Sequence, residues 1–297
     1  LAGLWGLARQ ALVRWALGSS VLAYALVGLG LALGGEGLSI FGRFTDGAPL
    51  CSSRLTLWAN VLHLIAQKPL LGWGWGNLDY AHFIALYPVE RFCDILDNAH
   101  NLPLHLAVEL GVPAALLVCG AFAWWVWRRR PWAETDPLRQ LAWGVMALIL
   151  LHSMVEYPLW YGPFFMTMVL CMAMVWRRPG GEFFASKRPV AGVLPAQTAI
   201  KIIAIVLLMC TAYAAWDYHR ISQLYLQPEE RSARYRENTL EKAQSSWLFA
   251  PQVRFAQVVL TPVTRESAAG MRVLTSQTLH YSPEPRVIEK LIEANSL

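Results

Sequence analysis

Apolar positions along this chain fall into long runs instead of alternating with polar ones. Five runs are long enough, or nearly so, to cross a bilayer, which takes about 20 residues. They extend from about Trp15 to Leu33, Leu102 to Trp127, Leu138 to Val155, Pro158 to Trp176 and Thr198 to Trp216. The pattern predicts an all-α, polytopic transmembrane helical bundle. It breaks in two places, a long loop over residues 34–101 and a tail from residue 217. A loop of that length inside a compact bundle is usually functional. Within it, Leu55, Trp58, Leu62 and Ile65 repeat at helical spacing. They predict an amphipathic helix from Arg54 to about Gln67 that lies on the outer surface or re-enters it.

The tail has a different texture. "PEERSARYRENTLEKAQ" (Pro228 to Gln244) opens with Pro and early Glu, a helix-start signal. "TPVTRESAAGMRVLTSQTLHY" and "SPEPRVIEKLIEAN" predict further amphipathic helices. The expected organisation is a membrane region over 1–216 and a small helical module over 217–297.

Charge sets the orientation. Arg9 and Arg14 precede the first span, Arg128, Arg129, Arg130 and Arg139 lie between the second and third, and Arg177, Arg178, Lys187, Arg188 and Lys201 between the fourth and fifth. With five spans all three clusters fall on one face, which the positive-inside rule makes cytoplasmic. The long loop and the tail then lie outside. Composition agrees: 56% of residues are hydrophobic, 15% are charged and 14 are Trp, a residue that settles at membrane interfaces. The net charge of +5 is explained by these clusters, and no nucleic-acid-binding pattern is visible. Because the chain starts at Leu1 without a leader pattern, it is expected to be part of a longer membrane protein.

Of the five cysteines, Cys119, Cys171 and Cys210 fall in expected spans and are read as packing residues. Cys51 and Cys93 share the outer loop and form a disulfide if that compartment is oxidising. No zinc-type spacing is present.

Candidate chemistry gathers at one membrane face. "DNAHNLPLHLAVELGVP" (Asp97 to Pro113) opens a span with polar residues at its outer end. Asp97 or Asn98 can serve as a helix cap. His100 can accept a proton from a hydroxyl or donate to a phosphate. The helix start there offers N–H groups and a favourable field to an anion. His105 and Glu109 are four apart and are expected to pair instead of catalyse. "LHSMVEYPLWYG" (Leu151 to Gly162) places His152 and Glu156 on one face, then Pro158, with Tyr157, Trp160 and Tyr161 at the interface. These aromatics also suit a plain interfacial belt. Arg54 is a natural bidentate phosphate partner. "GWGWG" has no strand and helix around it, which excludes a dinucleotide-binding or P-loop reading.

An Arg-bearing helix, "PLLGWGWGNL", "HNLPLHLAVELGVPAALL" and "HSMVEYPLWY" occur in this order. The arrangement resembles the Wzy/WaaL superfamily of O-antigen ligases and polymerases, and within it the PglL-type protein O-oligosaccharyltransferases. That resemblance implies transfer of a glycan from undecaprenyl pyrophosphate at the periplasmic face of the bacterial inner membrane. The acceptor would be Ser or Thr of a pilin-like periplasmic protein, or lipid A core for a ligase. It implies no cofactor, no nucleotide sugar and no obligatory metal. The essential histidine maps to His100, the loop arginine to Arg54 and the functional tyrosine to Tyr157, with Tyr161 as rival. Asn101, Glu156, Tyr161 and His152 are expected to bind or position substrate. Arg54 would stabilise the departing pyrophosphate, and His100 would either activate the acceptor or hold phosphate. A lipid-linked sugar transporter is the alternative from another class. It fits less well, because the span centres are nearly free of charge.

Overall fold

The structure, a computed structural model, describes residues 5–6, 11–33, 50–176 and 196–297. The first part of the loop (34–49), Arg9, and the basic residues Arg177, Arg178, Lys187 and Arg188 lie outside the described residues. All regular structure among the described residues is helical. The chain forms two compact units, residues 1–180 and 181–297.

The first unit contains α1 (Ala11–Leu33), α2 (Arg54–Gln67), α3 (Leu78–Ile84), α4 (Leu102–Leu110), α5 (Val112–Arg129), α6 (Pro137–His152) and α7 (Gly162–Trp176). The second contains α8 (Ala196–Ser222), α9 (Thr239–Ala243), α10 (Ala250–Leu260), α11 (Ala268–Leu279) and α12 (Pro285–Ser296). The domain boundary expected at 216 falls inside α8. Near the end of that helix, the buried Asp217 and Arg220 pair with each other. Asp217 also accepts from Ser246 Oγ and the Leu248 N–H, both at 3.0 Å, and Arg220 reaches Ser245. These bonds tie the helix end to the segment leading into α10.

The outer loop is a small folded body. Ser53 caps α2 by accepting the Thr56 N–H. Leu57, Val61 and Leu64 of α2 pack with Leu78, Ala81, Phe92, Leu96 and Val108 as a buried core. Cys51 and Cys93 form a disulfide across it, closing a 42-residue separation. Buried Asn60 binds both the Glu90 carbonyl and the Phe92 N–H, giving the loop backbone partners it would otherwise lack.

The run expected to span from Leu102 to Trp127 is broken into α4 and α5. Pro113 supplies no N–H to the Glu109 carbonyl, four residues before it, so the helix cannot continue. Gly111 takes φ 88°, and a Cβ there would lie 2.1 Å from the Leu70 carbonyl oxygen. The carbonyls left open at the break are filled from the glycine-rich loop. Trp73 N–H donates to Val108 and Gly74 N–H to Glu109, each at 2.9 Å, while Val112 N–H turns to Pro69 at 2.8 Å. Gly72, at φ 67°, lies so close to Glu109 that a Cβ would sit 2.4 Å from its backbone. "GWGWG" is therefore a cap for a broken helix.

Trp143, Met146 and Ile149 of α6 pack on Met168, Cys171 and Val175 of α7. Two of the basic residues expected on the cytoplasmic face serve this pair. Arg129 donates to the Trp176 carbonyl and Arg139 to the Val175 carbonyl, where a helix end leaves acceptors open.

Among the described residues, Lys201–Ser222 is the helix long and apolar enough to cross a membrane; Ala11–Val27 and Gly162–Trp176 are apolar but shorter. The first and fifth expected runs lie within α1 and α8, while the three between them are cut shorter: the second breaks at Gly111 and Pro113, the third ends at His152, and the fourth opens with a short turn at Pro158 and is helical only from Gly162.

In the C-terminal module, the helix expected over residues 228–244 is mostly turns. Arg231 binds the Leu226 carbonyl and Thr239 Oγ1, and Lys242 binds the Arg234 and Glu237 carbonyls. Side chains thus take acceptors that a helix would use. Asn238, at φ 51°, turns the chain into α9. The α10 helix, absent from the sequence expectation, supplies the buried Val253 and Ala256. The amphipathic helices expected near residues 261–281 and 282–295 are α11 and α12.

His82 gives the loop a pH signature. It is buried, with Nε2 at 3.1 Å from the Phe92 carbonyl and Nδ1 at 2.8 Å from the Tyr87 hydroxyl. Burial and then the nearby Arg91 charge push its pKa down to about 4, outweighing the Phe92 hydrogen bond. Its contribution to stability is present above pH 6.5, the ordinary value, and is lost as pH falls through about 4. Asp79 slopes the other way. Burial raises its carboxyl to about 6, so its contribution is present below 3.8 and lost as pH rises through about 6. In an Asp79→Asn background, a histidine-labelled NMR titration is expected to place His82 near 4. A midpoint near 6.5 would contradict this packing.

Candidate active site

Three segments meet at the start of α4. Arg54 is the first residue of α2. His100 stands two residues before α4, and Glu156 follows the C-terminal turn of α6. The Glu156 carboxylate joins the other two. One oxygen pairs with the Arg54 guanidinium and the other lies 2.8 Å from His100 Nδ1. Burial alone would raise the Glu156 pKa, but the His100 hydrogen bond and the Arg54 charge hold it below the usual carboxylate range. Tyr157 sets its ring edge-on to His100 at 4.7 Å and stacks on Tyr161 at 5.5 Å. A hydrogen bond with Tyr161, followed by burial, pushes the Tyr157 phenol up to about 12. The phenol therefore stays protonated near neutrality and can donate, but it is no base.

His100 is held in an unusual backbone conformation. Its φ is 49°, in the left-handed region that non-glycine residues seldom occupy. Its N–H donates to Asn98 Oδ1 at 2.9 Å, an Asx turn. The preceding Ala99 carbonyl accepts from Trp58 Nε1 at 3.0 Å. Trp58 lies four residues after Arg54, so one face of α2 serves both the guanidinium and the histidine loop.

The helix start expected to offer N–H groups to an anion has none spare in its first turn. Leu102 N–H donates to the Ser153 carbonyl at 2.8 Å, Pro103 has no N–H, and Leu104 N–H donates to Asn101 Oδ1 at 3.1 Å. Any anion here would have to be bound by side chains. Asn101, expected to contact substrate, is occupied at both ends of its amide. Its Oδ1 caps α4 and its Nδ2 donates to the Met154 carbonyl at 3.0 Å. Its visible work is to lock the α4 start onto the α6 end, close to both His100 and Glu156.

His152 and Glu156, expected on one helical face, part company because α6 ends at His152. Glu156 N–H still reaches the His152 carbonyl at 2.9 Å, but the exposed His152 ring packs edge-on against Phe164. Among the described residues, no side-chain contact joins His152 to the Glu156 cluster. Ser153 contributes without having been singled out in the sequence. In the sequence Trp58 reads only as an apolar helix position, and the helix cap expected at Asp97 or Asn98 is Asn101 instead, because the Asn98 side chain turns to the His100 N–H.

An apolar cavity of about 680 Å³ has Leu102, Leu106, Phe122, Met154, Trp160 and Met168 among its walls, Leu102 and Met154 each standing two residues in sequence from His100 or Glu156. Among the described residues, no group of three or more His, Cys, Asp or Glu is arranged to hold a metal ion.

Parts of this sequence are similar to known proteins. A family model described as virulence factor membrane-bound polymerase, C-terminal, matches residues 140–297, more than half of the chain. A model described as O-antigen ligase matches residues 1–119. The chain belongs to the Wzy/WaaL superfamily. It is similar to a general O-oligosaccharyltransferase of Acinetobacter baylyi, 26% identical over 123 residues, which are 41% of this chain and 21% of that relative. The matched stretch thus spans about a fifth of the relative's length. No solved structure matches.

The Asn101 lock is testable. Asn101→Ala is expected to cost about 1–2 kcal/mol, the usual range for a lost helix cap plus a tether. Asn101→Asp keeps the cap acceptor and should recover part of that loss. Chemical denaturation in detergent measures both, and equal stability of all three proteins would remove Asn101 from this role.

Proposed function

We propose that this chain carries catalytic groups of a polytopic inner-membrane glycan transferase with its active face in the periplasm. The donor is an oligosaccharide on undecaprenyl pyrophosphate, and the acceptor is a Ser or Thr hydroxyl of a pilin-like protein. The observation that carries this reading is the Glu156 carboxylate placed between Arg54 and His100. The shorter helices α5, α6 and α7 expose rows of large apolar side chains, which suits lipid or further membrane segments as their surroundings.

The chemistry follows from donor and acceptor roles. Glu156 accepts the proton-bearing Nδ1 of His100, which leaves Nε2 as the lone-pair nitrogen. Nε2 takes the proton of the acceptor hydroxyl as its oxygen attacks the anomeric carbon of the first sugar. The bond from that carbon to the pyrophosphate oxygen breaks, and the electron pair leaves with the lipid pyrophosphate. Arg54 stabilises the charge gathering on that leaving group, exchanging its Glu156 partner for phosphate oxygens. The Tyr157 hydroxyl, protonated at working pH, donates to glycan or phosphate. Because pyrophosphate leaves readily, positioning of the hydroxyl and charge stabilisation supply most of the rate. The apolar cavity beside Trp160 suits isoprenoid units of the carrier.

The match to the O-antigen ligase model over residues 1–119 favours a second acceptor, lipid A core, with the same donor chemistry. One experiment separates the two. The full membrane protein is expressed in a glycan-competent bacterium with a pilin-type acceptor. Protein and lipid A core are then examined for added glycan mass in wild type, His100→Ala and Arg54→Ala at matched membrane levels. Transfer to protein that each variant lowers by at least about 100-fold is expected. Transfer to lipid A core alone would make it a ligase, and normal transfer by both variants would overturn the site.

A further inference from the structure

Behind His100 lies a buried pair that the proposed reaction does not use. His105 and Glu109 are each about 2% exposed, one turn apart on α4. His105 Nδ1 accepts the Ala99 N–H at 3.4 Å, so its ring proton sits on Nε2. That nitrogen lies 3.4 Å from Glu109 Oε2. The other Glu109 oxygen accepts the Gly76 N–H at 2.9 Å, from the end of the glycine-rich loop. The Trp160 ring meets His105 edge-on at 4.7 Å and closes one side.

We propose that His105 is a positioning residue that, through the Ala99 N–H, holds the turn from which His100 is presented. This rests on the reading of His100 as the group that takes the acceptor proton. The argument starts from the backbone. The turn that carries His100 is held at two successive peptide units, those on either side of Ala99. His105 binds the N–H of the first and Trp58 binds the carbonyl of the second. A left-handed residue persists only where its surroundings over-determine it. Burying an imidazole and a carboxylate together is costly unless both are used, and here each is spent on a backbone N–H. Glu109 Oε2 approaches His105 Nε2 at 3.4 Å without a hydrogen bond, and the His105 tautomer follows from Nδ1 accepting the Ala99 N–H. The glycine-rich loop, Glu109, His105 and Ala99 thus form a continuous path of contacts to His100.

The test compares two replacements in the full membrane-inserted protein. Asn places its amide oxygen where His105 Nδ1 lies and can still accept the Ala99 N–H. Gln reaches the Nε2 position instead and cannot. Initial rates of transfer are measured against the concentration of a polyprenyl-pyrophosphate-linked glycan, at matched membrane levels. His105→Gln is expected to lower kcat by about 10- to 100-fold, as a misplaced reacting group does, with KM for the donor nearly unchanged. His105→Asn is expected to recover most of that loss. A His105→Gln protein with wild-type kcat, equal losses in both variants, or a loss carried by KM would each overturn the proposal. His100→Ala in the same assay separates the two readings. If His100→Ala is inactive while His105→Gln is normal, only the positioning role falls. If His100→Ala transfers normally, the reading of His100 falls and the positioning role with it.

Discussion

One carboxylate sets the geometry of this site. Glu156 pairs with Arg54, 102 residues earlier, and with His100, 56 residues earlier. A guanidinium and an imidazole with proton-bearing nitrogens so close together are held there by an anion, and Glu156 is that anion. The same arrangement marks where a phosphate would gain most. Arg54 need only exchange one anionic partner for another, while His100 keeps the carboxylate that fixes its tautomer. The rest of the first unit serves this contact. Asn101 and Leu102 fasten the α4 start to the α6 end that leads into Glu156, and Trp58 carries the α2 face to the histidine loop.

The broken helix supplies the second constraint. A continuous span through residue 113 would have kept the Val108 and Glu109 carbonyls within its own ladder. Pro113 and Gly111 release them, and the glycine-rich loop claims them. This brings Gly76 to the Glu109 side chain and places a buried polar pair directly behind His100. A sequence feature that looks like flexible punctuation thus acts as the joint between the outer loop and the α4–α5 break.

Much of this was legible before the fold was seen. Helical spacing placed α2 from Arg54 to Gln67, the bounds it has. The polar start at residues 97–101 and the "EYPLWY" segment do come together. The parts that were not legible depend on distant partners. A run of apolar residues does not reveal that carbonyls at its middle are bonded by a loop 35 residues upstream. Residues 228–244 carry helix-forming composition, but Arg231 and Lys242 spend the local carbonyls on side-chain bonds. Asn101 and His152 looked like site residues by position alone. One proves to be a cap and tether, and the other faces Phe164, because α6 stops one turn before Glu156. Glu156 itself was expected to hold substrate, and its contacts are instead with the arginine and the histidine.

The most direct measurement is the tautomer of the His100 ring, read from its two ¹⁵N resonances in the detergent-solubilised protein with selectively labelled histidine. In the neutral ring, the account predicts a proton on Nδ1 and a bare Nε2, with the pattern lost in Glu156→Ala. A proton on Nε2 in the wild-type protein, indifferent to the Glu156 substitution, would contradict the arrangement on which the proposed chemistry stands.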